Sequence, residues 1–181
     1  LLADHYLKLP ATIRSRLQHF ALDRLSLDEA KDFVRSQQLQ LSDKQISLLL
    51  NLANNMPLTA IEIAQSAWVE QRLVFLNDWF KLVSEKNMPL HYVNKWSKNL
   101  PFSDLMIMFE YLLGDIVAFK LNQELKNTDL NFQDLAACYP LEILFEIYAE
   151  LQNYKLLISQ NVQSALVLDQ LFIKLMYVQL S

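Results

Sequence analysis

Residues 9–20 read Leu-Pro-Ala-Thr-Ile-Arg-Ser-Arg-Leu-Gln-His-Phe, and the rest of the chain is organised around this stretch. Pro10 predicts the start of a helical turn, because its φ angle is preset for a helix and its missing N–H would have no partner there. Ile13 and Leu17 are four residues apart and give the turn one apolar side. Arg14 and Arg16 therefore leave the turn in different directions, either as ordinary surface arginines or as functional ones.

A short strand is predicted immediately after the turn. Residues 18–22 alternate polar and apolar side chains, as a half-buried strand does. The chain also opens on Leu1-Leu2-Ala3-Asp4 without an initiator methionine, which we interpret as the tail of a strand from a larger sheet. Together these observations predict that the chain is a fragment of a longer protein.

The composition predicts an almost entirely helical fold. The 181 residues are 52% hydrophobic, which is ample for a core, and contain one glycine, Gly114. Hairpins and phosphate-binding loops both require glycine, so the chain is expected to lack a nucleotide-binding loop of its own. The one cysteine, Cys138, excludes an internal disulfide and a cysteine zinc cluster, and it agrees with a reducing cytoplasm.

Charge and hydropathy narrow the range of partners. The formal net charge is −4, from 16 basic and 20 acidic residues, so overall electrostatics do not favour direct binding to nucleic acid. No apolar run approaches the roughly 18 residues needed to cross a membrane. His5, His19 and His91 share no metal-ligand spacing. We therefore expect the protein to bind neither a membrane nor a metal ion. Any contact with DNA is expected to be local or to be made through partner proteins.

Three short helices are predicted in residues 24–66. Ser26 starts the first as an N-cap residue followed by acidic side chains, and Ser42 caps the second. The pair Asn54-Asn55 ends the second helix, because asparagine tolerates the left-handed conformation that stops a helix. Pro57 then opens the third helix. A unit this small is not expected to be stable alone, so it must pack against something else.

Longer and more apolar helices are predicted in the rest of the chain, over residues 68–85, 90–97, 103–124, 132–138 and 141–158. Trp68, Trp79 and their aromatic neighbours could stack on bases, but their spacing on one helix face favours core packing. Asp104, Glu110 and Asp115 could form a carboxylate site. Because no histidine shares their helix face, we expect them to be solvated surface residues.

The stretch 9–17 resembles the end of the ATPase core in bacterial clamp-loader subunits of DNA polymerase III. There, a helix written roughly L-P-x-T-I-x-S-R-C precedes a strand and a small helical lid, and its last arginine reaches the γ-phosphate of ATP held by a neighbouring subunit. The resemblance places this arginine-finger role on Arg16. Leu17 stands where cysteine is usual, and we interpret that change as a variation in packing.

The three short helices resemble the lid of the same family, with one informative departure. ATP-hydrolysing relatives carry an arginine at the start of the third lid helix, and Leu58 takes its place here. A leucine side chain has no donor for a phosphate oxygen. The chain therefore resembles δ′-type subunits, which keep the finger and lack ATP chemistry, more than it resembles the ATP-hydrolysing γ-type subunits.

The last helices carry apolar residues on more faces than one core requires. Residues 161–175 resemble the leucine-rich closing helix of the family, and Leu166, Val167 and Leu168 within them are consecutive and all apolar. Consecutive helical residues point about 100° apart, so part of this apolar surface should bind a partner. We predict that the partner interface comprises Val167, Phe172, Ile173 and Met176.

The resemblance implies three domains and a function. Residues 1–23 are expected to be the remnant of an AAA+ ATPase core, 24–66 the three-helix lid, and 67–181 the helical collar through which subunits assemble. The implied role is a non-hydrolysing stator subunit that works with γ/τ and δ subunits to place the sliding clamp on primed DNA during replication. The chain would be cytoplasmic, and it would belong to a nucleotidyltransferase complex without being an enzyme itself.

In this scheme ATP-Mg is bound by the neighbouring subunit, and this chain binds no cofactor. The alternative is an unrelated all-α adaptor that binds other proteins, in which the arginine turn is coincidental. The two hypotheses differ in what they expect before Leu1, because only the first expects an ATPase core there.

Overall fold

The computed structural model describes residues 9–18, 25–85, 89–158, 170, 171 and 174 of the chain. Within these residues the backbone forms helices and no strand, which confirms the predicted all-α fold. The strand predicted over residues 18–22 lies, apart from Gln18, outside the described residues. The helices are α1 Ala11–Arg14, α2 Leu27–Ser36, α3 Asp43–Leu52, α4 Pro57–Gln65, α5 Trp68–Glu85, α6 Pro89–Asn99, α7 Phe102–Lys120, α8 Gln133–Cys138 and α9 Leu141–Ile158.

Helices α2–α4, here named the three-helix unit, begin and end where local signals predict. The Ser26 hydroxyl accepts the Glu29 N–H at 3.3 Å, and the Glu29 carboxylate accepts the Ser26 N–H at 2.8 Å, which is a complete capping box. Ser42 caps α3 in the same reciprocal way. Asn54 and Asn55 then adopt left-handed φ angles of 54° and 60° after α3, so the chain turns into α4.

The described residues enclose two apolar cores. Small and branched side chains fill the core of the three-helix unit, namely Ala30, Val34, Ile46, Leu49, Leu50, Ala53 and Ala60. Helices α5–α9, here named the helical domain, surround a second and larger core. The link between α4 and α5 is only residues 66 and 67, where the sequence predicted a domain boundary.

Aromatic rings form the centre of the helical domain. The Phe75 ring centroid lies 4.8 Å from that of Trp96 and 4.9 Å from that of Phe109, and the centroids of Trp79 and Phe109 are 5.5 Å apart. All four side chains are fully buried. These spacings are typical of stabilising aromatic pairs. The aromatic residues of α5 therefore pack in or against the core, as their helical spacing favoured, with Trp68, Phe75 and Trp79 buried and Phe80 partly buried.

The bounds of α7 differ from the prediction at both ends. The helix starts directly after Pro101, and no side chain caps it, so Ser103-Asp104 is not the cap that the sequence predicted. It ends at Lys120 and not at Glu124, because Asn122 takes a left-handed φ of 53° and turns the chain into a loop. The loop of residues 121–131, which precedes Phe132 at the start of α8, is therefore longer than expected, and several of its residues are polar.

Gly114 lies in the interior of α7 without a packing role. A Cβ atom built there would meet nothing within 4 Å, so no close helix approach requires glycine. Since glycine costs a helix about 1 kcal/mol relative to alanine, we expect Gly114→Ala to raise the free energy of unfolding by about that amount. Urea denaturation measures it, with Ala118→Gly in the same helix as the opposite substitution. A loss of stability in Gly114→Ala would contradict the open environment of this residue.

Candidate functional site

The arginine turn is a single helical turn held by backbone hydrogen bonds. The Pro10 carbonyl oxygen accepts the N–H groups of Ile13 and Arg14 at 3.0 and 3.1 Å. The Ser15 hydroxyl donates to the Thr12 carbonyl at 3.2 Å and helps to end the helix. Pro10 is the N-cap residue, with φ −54° and ψ 143°, so it lies directly before the helix and not at the first helical position that the sequence predicted. The backbone that carries Arg14 and Arg16 is therefore held in a defined conformation.

The two arginines of the turn differ in exposure. Arg16 is exposed, whereas Arg14 is half-buried. In the part of the chain that the structure describes, no carboxylate lies within ion-pair distance of Arg16. Its permanently charged guanidinium is therefore presented to solvent, where it is accessible to an anion. Leu17, which we interpreted as a packing residue, is 47% exposed.

Helix α4 carries no cation at its start, where ATP-hydrolysing members of the family that the sequence resembles carry an arginine. Leu58 is the second residue of α4 and is 66% exposed. The sequence of the helix, Pro-Leu-Thr-Ala-Ile-Glu-Ile-Ala-Gln, contains no lysine or arginine. The start of α4 therefore presents an apolar side chain, which cannot pair with a phosphate.

Asp115 belongs to a buried polar network that the sequence did not predict. Its side chain is 1% exposed, and it accepts the Lys126 N–H at 2.6 Å and the backbone and side-chain N–H groups of Asn127 at 2.8 and 2.6 Å. The expectation of a solvated surface carboxylate was therefore wrong. The signal that could have revealed its burial is its position seven residues after Met108, on the apolar face of α7.

Arg72 completes this network from α5. Its guanidinium is 1% exposed and grips Asp129 with two hydrogen bonds of 3.1 and 2.5 Å. It also donates to the side-chain oxygen of Asn127, which is itself fully buried. Bidentate pairing compensates a buried charge better than a single bond does. Arg72, Asn127 and Asp115 thus hold the loop of residues 121–131 against α5 and α7, and they are structural residues.

Desolvation dominates the titration of Asp115. Burial raises the pKa of Asp115 above the ordinary value of an aspartate carboxyl group, and the hydrogen bonds from Lys126 and Asn127 oppose this shift. A carboxyl group whose pKa is raised by folding contributes stability at low pH that is lost as the pH rises through the folded pKa. The three hydrogen bonds from Lys126 and Asn127 favour the ionised form and so limit this upward shift of the pKa.

A small apolar pocket lies between α5 and α6. Its volume is about 260 Å³, and its apolar walls include Val74, Phe75, Trp96 and Leu100. One edge is stabilised by Asp78, which accepts from Lys95 at 2.6 Å and from the Trp96 indole N–H at 3.1 Å. A pocket of this size and lining fits an apolar side chain, since few polar groups converge on it.

Two other kinds of site, for a metal ion and for a membrane, are absent from the described residues. No group of three or more histidine, cysteine, aspartate or glutamate residues that could hold a metal ion occurs among the described residues. Likewise, no helix in the described ranges is long and apolar enough to span a bilayer. Cys138 is a free and exposed thiol at the end of α8.

The predicted partner interface of Val167, Phe172, Ile173 and Met176 lies outside the described residues. Three nearby residues are described, and all three contact the helical domain. Leu171 is buried in its core, Gln170 accepts the Tyr154 hydroxyl at 2.9 Å, and Lys174 pairs with Glu150 of α9. The interface residues themselves remain a prediction.

The two positions that the family resemblance singles out, Arg16 and Leu58, are thus both exposed, and they lie on separate elements. Arg16 follows α1, and Leu58 is the second residue of α4. No protein-family model matches the chain, and no curated protein or solved structure matches it significantly.

Proposed function

We propose that the protein is a non-hydrolysing, δ′-type stator subunit of the bacterial clamp loader of DNA polymerase III. In this proposal Arg16 is an arginine finger for ATP that a neighbouring subunit binds. The observation that carries the proposal is the guanidinium of Arg16, which is exposed and has no ion-pair partner among the described residues. It lies on the turn that follows Pro10, in a stretch that resembles the family's finger motif.

The chemistry of arginine suits this role. A guanidinium is planar and always charged, and it can donate two parallel hydrogen bonds to phosphate oxygens. During phosphoryl transfer negative charge spreads over the γ-phosphate oxygens, and a finger that meets this charge accelerates the reaction. Because Arg16 is exposed and Arg14 is half-buried, Arg16 is the better placed of the two to reach another subunit.

Two features of the sequence support the stator role. The sequence contains no phosphate-binding loop, and Leu58 leaves the start of α4 without a cation. In the proposal ATP-Mg belongs to the neighbouring γ/τ subunit, and the helical domain is the collar that joins γ/τ and δ subunits. The sliding clamp and primed DNA are contacted through this complex, in the cytoplasm.

We predict that the protein does not bind ATP by itself. Calorimetric titration with ATP and Mg²⁺ is expected to give no saturable heat, because neither a phosphate loop nor a lid cation is available. A γ/τ subunit titrated in parallel serves as the positive control. Saturable binding in the micromolar range would contradict the stator role and favour an ATP-hydrolysing subunit.

A second candidate function, the all-α adaptor, is favoured by one observation. The pocket between α5 and α6 is apolar, and Val74 on its rim is 50% exposed, so an apolar side chain of a partner could bury this surface. The two candidates are separated by mixing the protein with γ/τ and δ subunits and analysing the mixture by size-exclusion chromatography. Co-elution is expected for the clamp-loader subunit, and separate elution for the adaptor.

A further inference from the structure

The C-terminal end of α3 is tied to the helical domain by polar contacts. The Lys126 ammonium donates to the Asn51 carbonyl oxygen at 3.0 Å and to Asn54 Oδ1 at 2.5 Å. The Tyr111 hydroxyl donates to the Leu52 carbonyl oxygen at 2.6 Å. We name these contacts of Tyr111 and Lys126 with residues 51–54 the latch. They are the polar contacts through which α7 and the following loop hold the three-helix unit.

The latch exploits the electrostatics of a helix end. The last carbonyl groups of a helix have no partner one turn ahead, and they carry the negative end of the helix dipole. A lysine ammonium placed there supplies both hydrogen bonds and an opposite charge. The same ammonium lies 5.9 Å from the centroid of the Tyr111 ring, so the two latch side chains also attract each other.

The base of the latch is fixed within the helical domain. The Lys126 N–H donates to buried Asp115 at 2.6 Å, and the adjacent Asn127 is held by Asp115 and Arg72. The backbone of Lys126 therefore has a defined position relative to α5 and α7. Its side chain donates hydrogen bonds to the end of α3, so the end of α3 is positioned relative to α5 and α7.

The remaining connections between the two cores are less directional. Leu52 is buried in the core of the helical domain, with Leu48 and Ile63 packed against that core, and Val69 of α5 packs against the core of the three-helix unit. Apolar burial stabilises such a contact without fixing an angle. The covalent connection is the link of residues 66 and 67. The hydrogen bonds of the latch add direction to these apolar contacts.

We infer that the latch is a conformational lock that sets the angle between the three-helix unit and the helical domain. Without the Lys126 charge and the Tyr111 hydroxyl, the three-helix unit swings about residues 66 and 67 and the Leu52 contact, while both cores stay folded. The lock is a property of this chain alone and does not depend on the proposed clamp-loader role.

Electron paramagnetic resonance distances test this lock. One spin label is attached to the exposed Cys138, and the second to Lys44→Cys, an exposed position in the first turn of α3. In the otherwise native chain a narrow distance distribution is expected. In the double variant Lys126→Met/Tyr111→Phe, which keeps the stem and the ring, the distribution is expected to be at least about twofold broader.

The control variant is Lys120→Met, which removes the same charge from the last turn of α7, where no latch contact is made. It should leave the distribution narrow. Amide hydrogen exchange is measured on the same proteins, and protection inside α3 and α7 should survive in the double variant. An unchanged distribution in the double variant, equal broadening in the control, or loss of protection in α3 would each overturn the lock.

Discussion

Arg16→Ala is expected to lower ATP hydrolysis by the assembled clamp loader about 10³-fold or more, the range that arginine fingers contribute in other ATP- and GTP-hydrolysing proteins. The guanidinium is exposed and pairs with no carboxylate of the described residues, so its removal should cost the subunit little stability. Steady-state hydrolysis is measured with γ/τ and δ subunits, sliding clamp and primed DNA. The melting temperature of the variant subunit is measured beside it.

Two further variants make this result specific. Arg14→Ala should reduce hydrolysis much less, because Arg14 is half-buried and points elsewhere on the turn. Arg16→Lys keeps the charge but loses the bidentate hydrogen bonds to phosphate, so an intermediate rate of ATP hydrolysis is expected. Equal losses from Arg14→Ala and Arg16→Ala, or full activity of an assembled Arg16→Ala complex, would remove the finger role from Arg16.

Asp115→Ala is expected to lower the free energy of unfolding by about 3 kcal/mol or more. The substitution leaves the Lys126 N–H and both N–H groups of Asn127 without their acceptor, and a buried unpaired polar group costs about 1–3 kcal/mol. Urea denaturation measures the loss. Glu124→Ala, an exposed carboxylate nearby, is the control and should change stability by less than about 0.5 kcal/mol.

The loss of stability caused by Asp115→Ala is expected to depend on pH. Burial raises the folded pKa of Asp115 above 3.8, so native Asp115 contributes more stability below that value than at neutral pH. The loss caused by Asp115→Ala should therefore be larger in acid than at pH 7. The opposite trend would mean that the hydrogen bonds outweigh desolvation and lower the pKa of this carboxyl group.

The helices of the three-helix unit could be predicted closely because their ends depend on neighbouring residues. Ser26 and Ser42 meet their capping partners three positions ahead, and Asn54 and Pro57 act on their own backbone. Such signals are visible in any short window of sequence. This is why the bounds of α2, α3 and α4 follow from the sequence almost residue by residue.

The buried polar network could not be predicted in the same way. Asp115 bonds to a residue twelve positions away, and Arg72 bonds to Asp129 fifty-seven positions away. Only the tertiary fold brings these groups together, and helical periodicity does not report the donors that a loop supplies. For the same reason, the latch between Lys126 and the end of α3 could not be predicted from the sequence.

The finger role of Arg16 depends on a different kind of partner. A finger acts on a phosphate bound by another chain, so its catalytic geometry is a property of the assembly. Within one chain the prediction concerns only the turn that presents the arginine. That turn forms directly after Pro10, and it leaves Arg16 exposed.

The most direct measurement is a cryo-electron-microscopy structure of the protein assembled with γ/τ and δ subunits and a non-hydrolysable ATP analogue. The account predicts that a guanidinium nitrogen of Arg16 lies about 3 Å from a γ-phosphate oxygen of the analogue bound to the neighbouring subunit. It would be contradicted by an Arg16 side chain that contacts no nucleotide in the assembled complex, or by an analogue bound beside Leu58 of this chain.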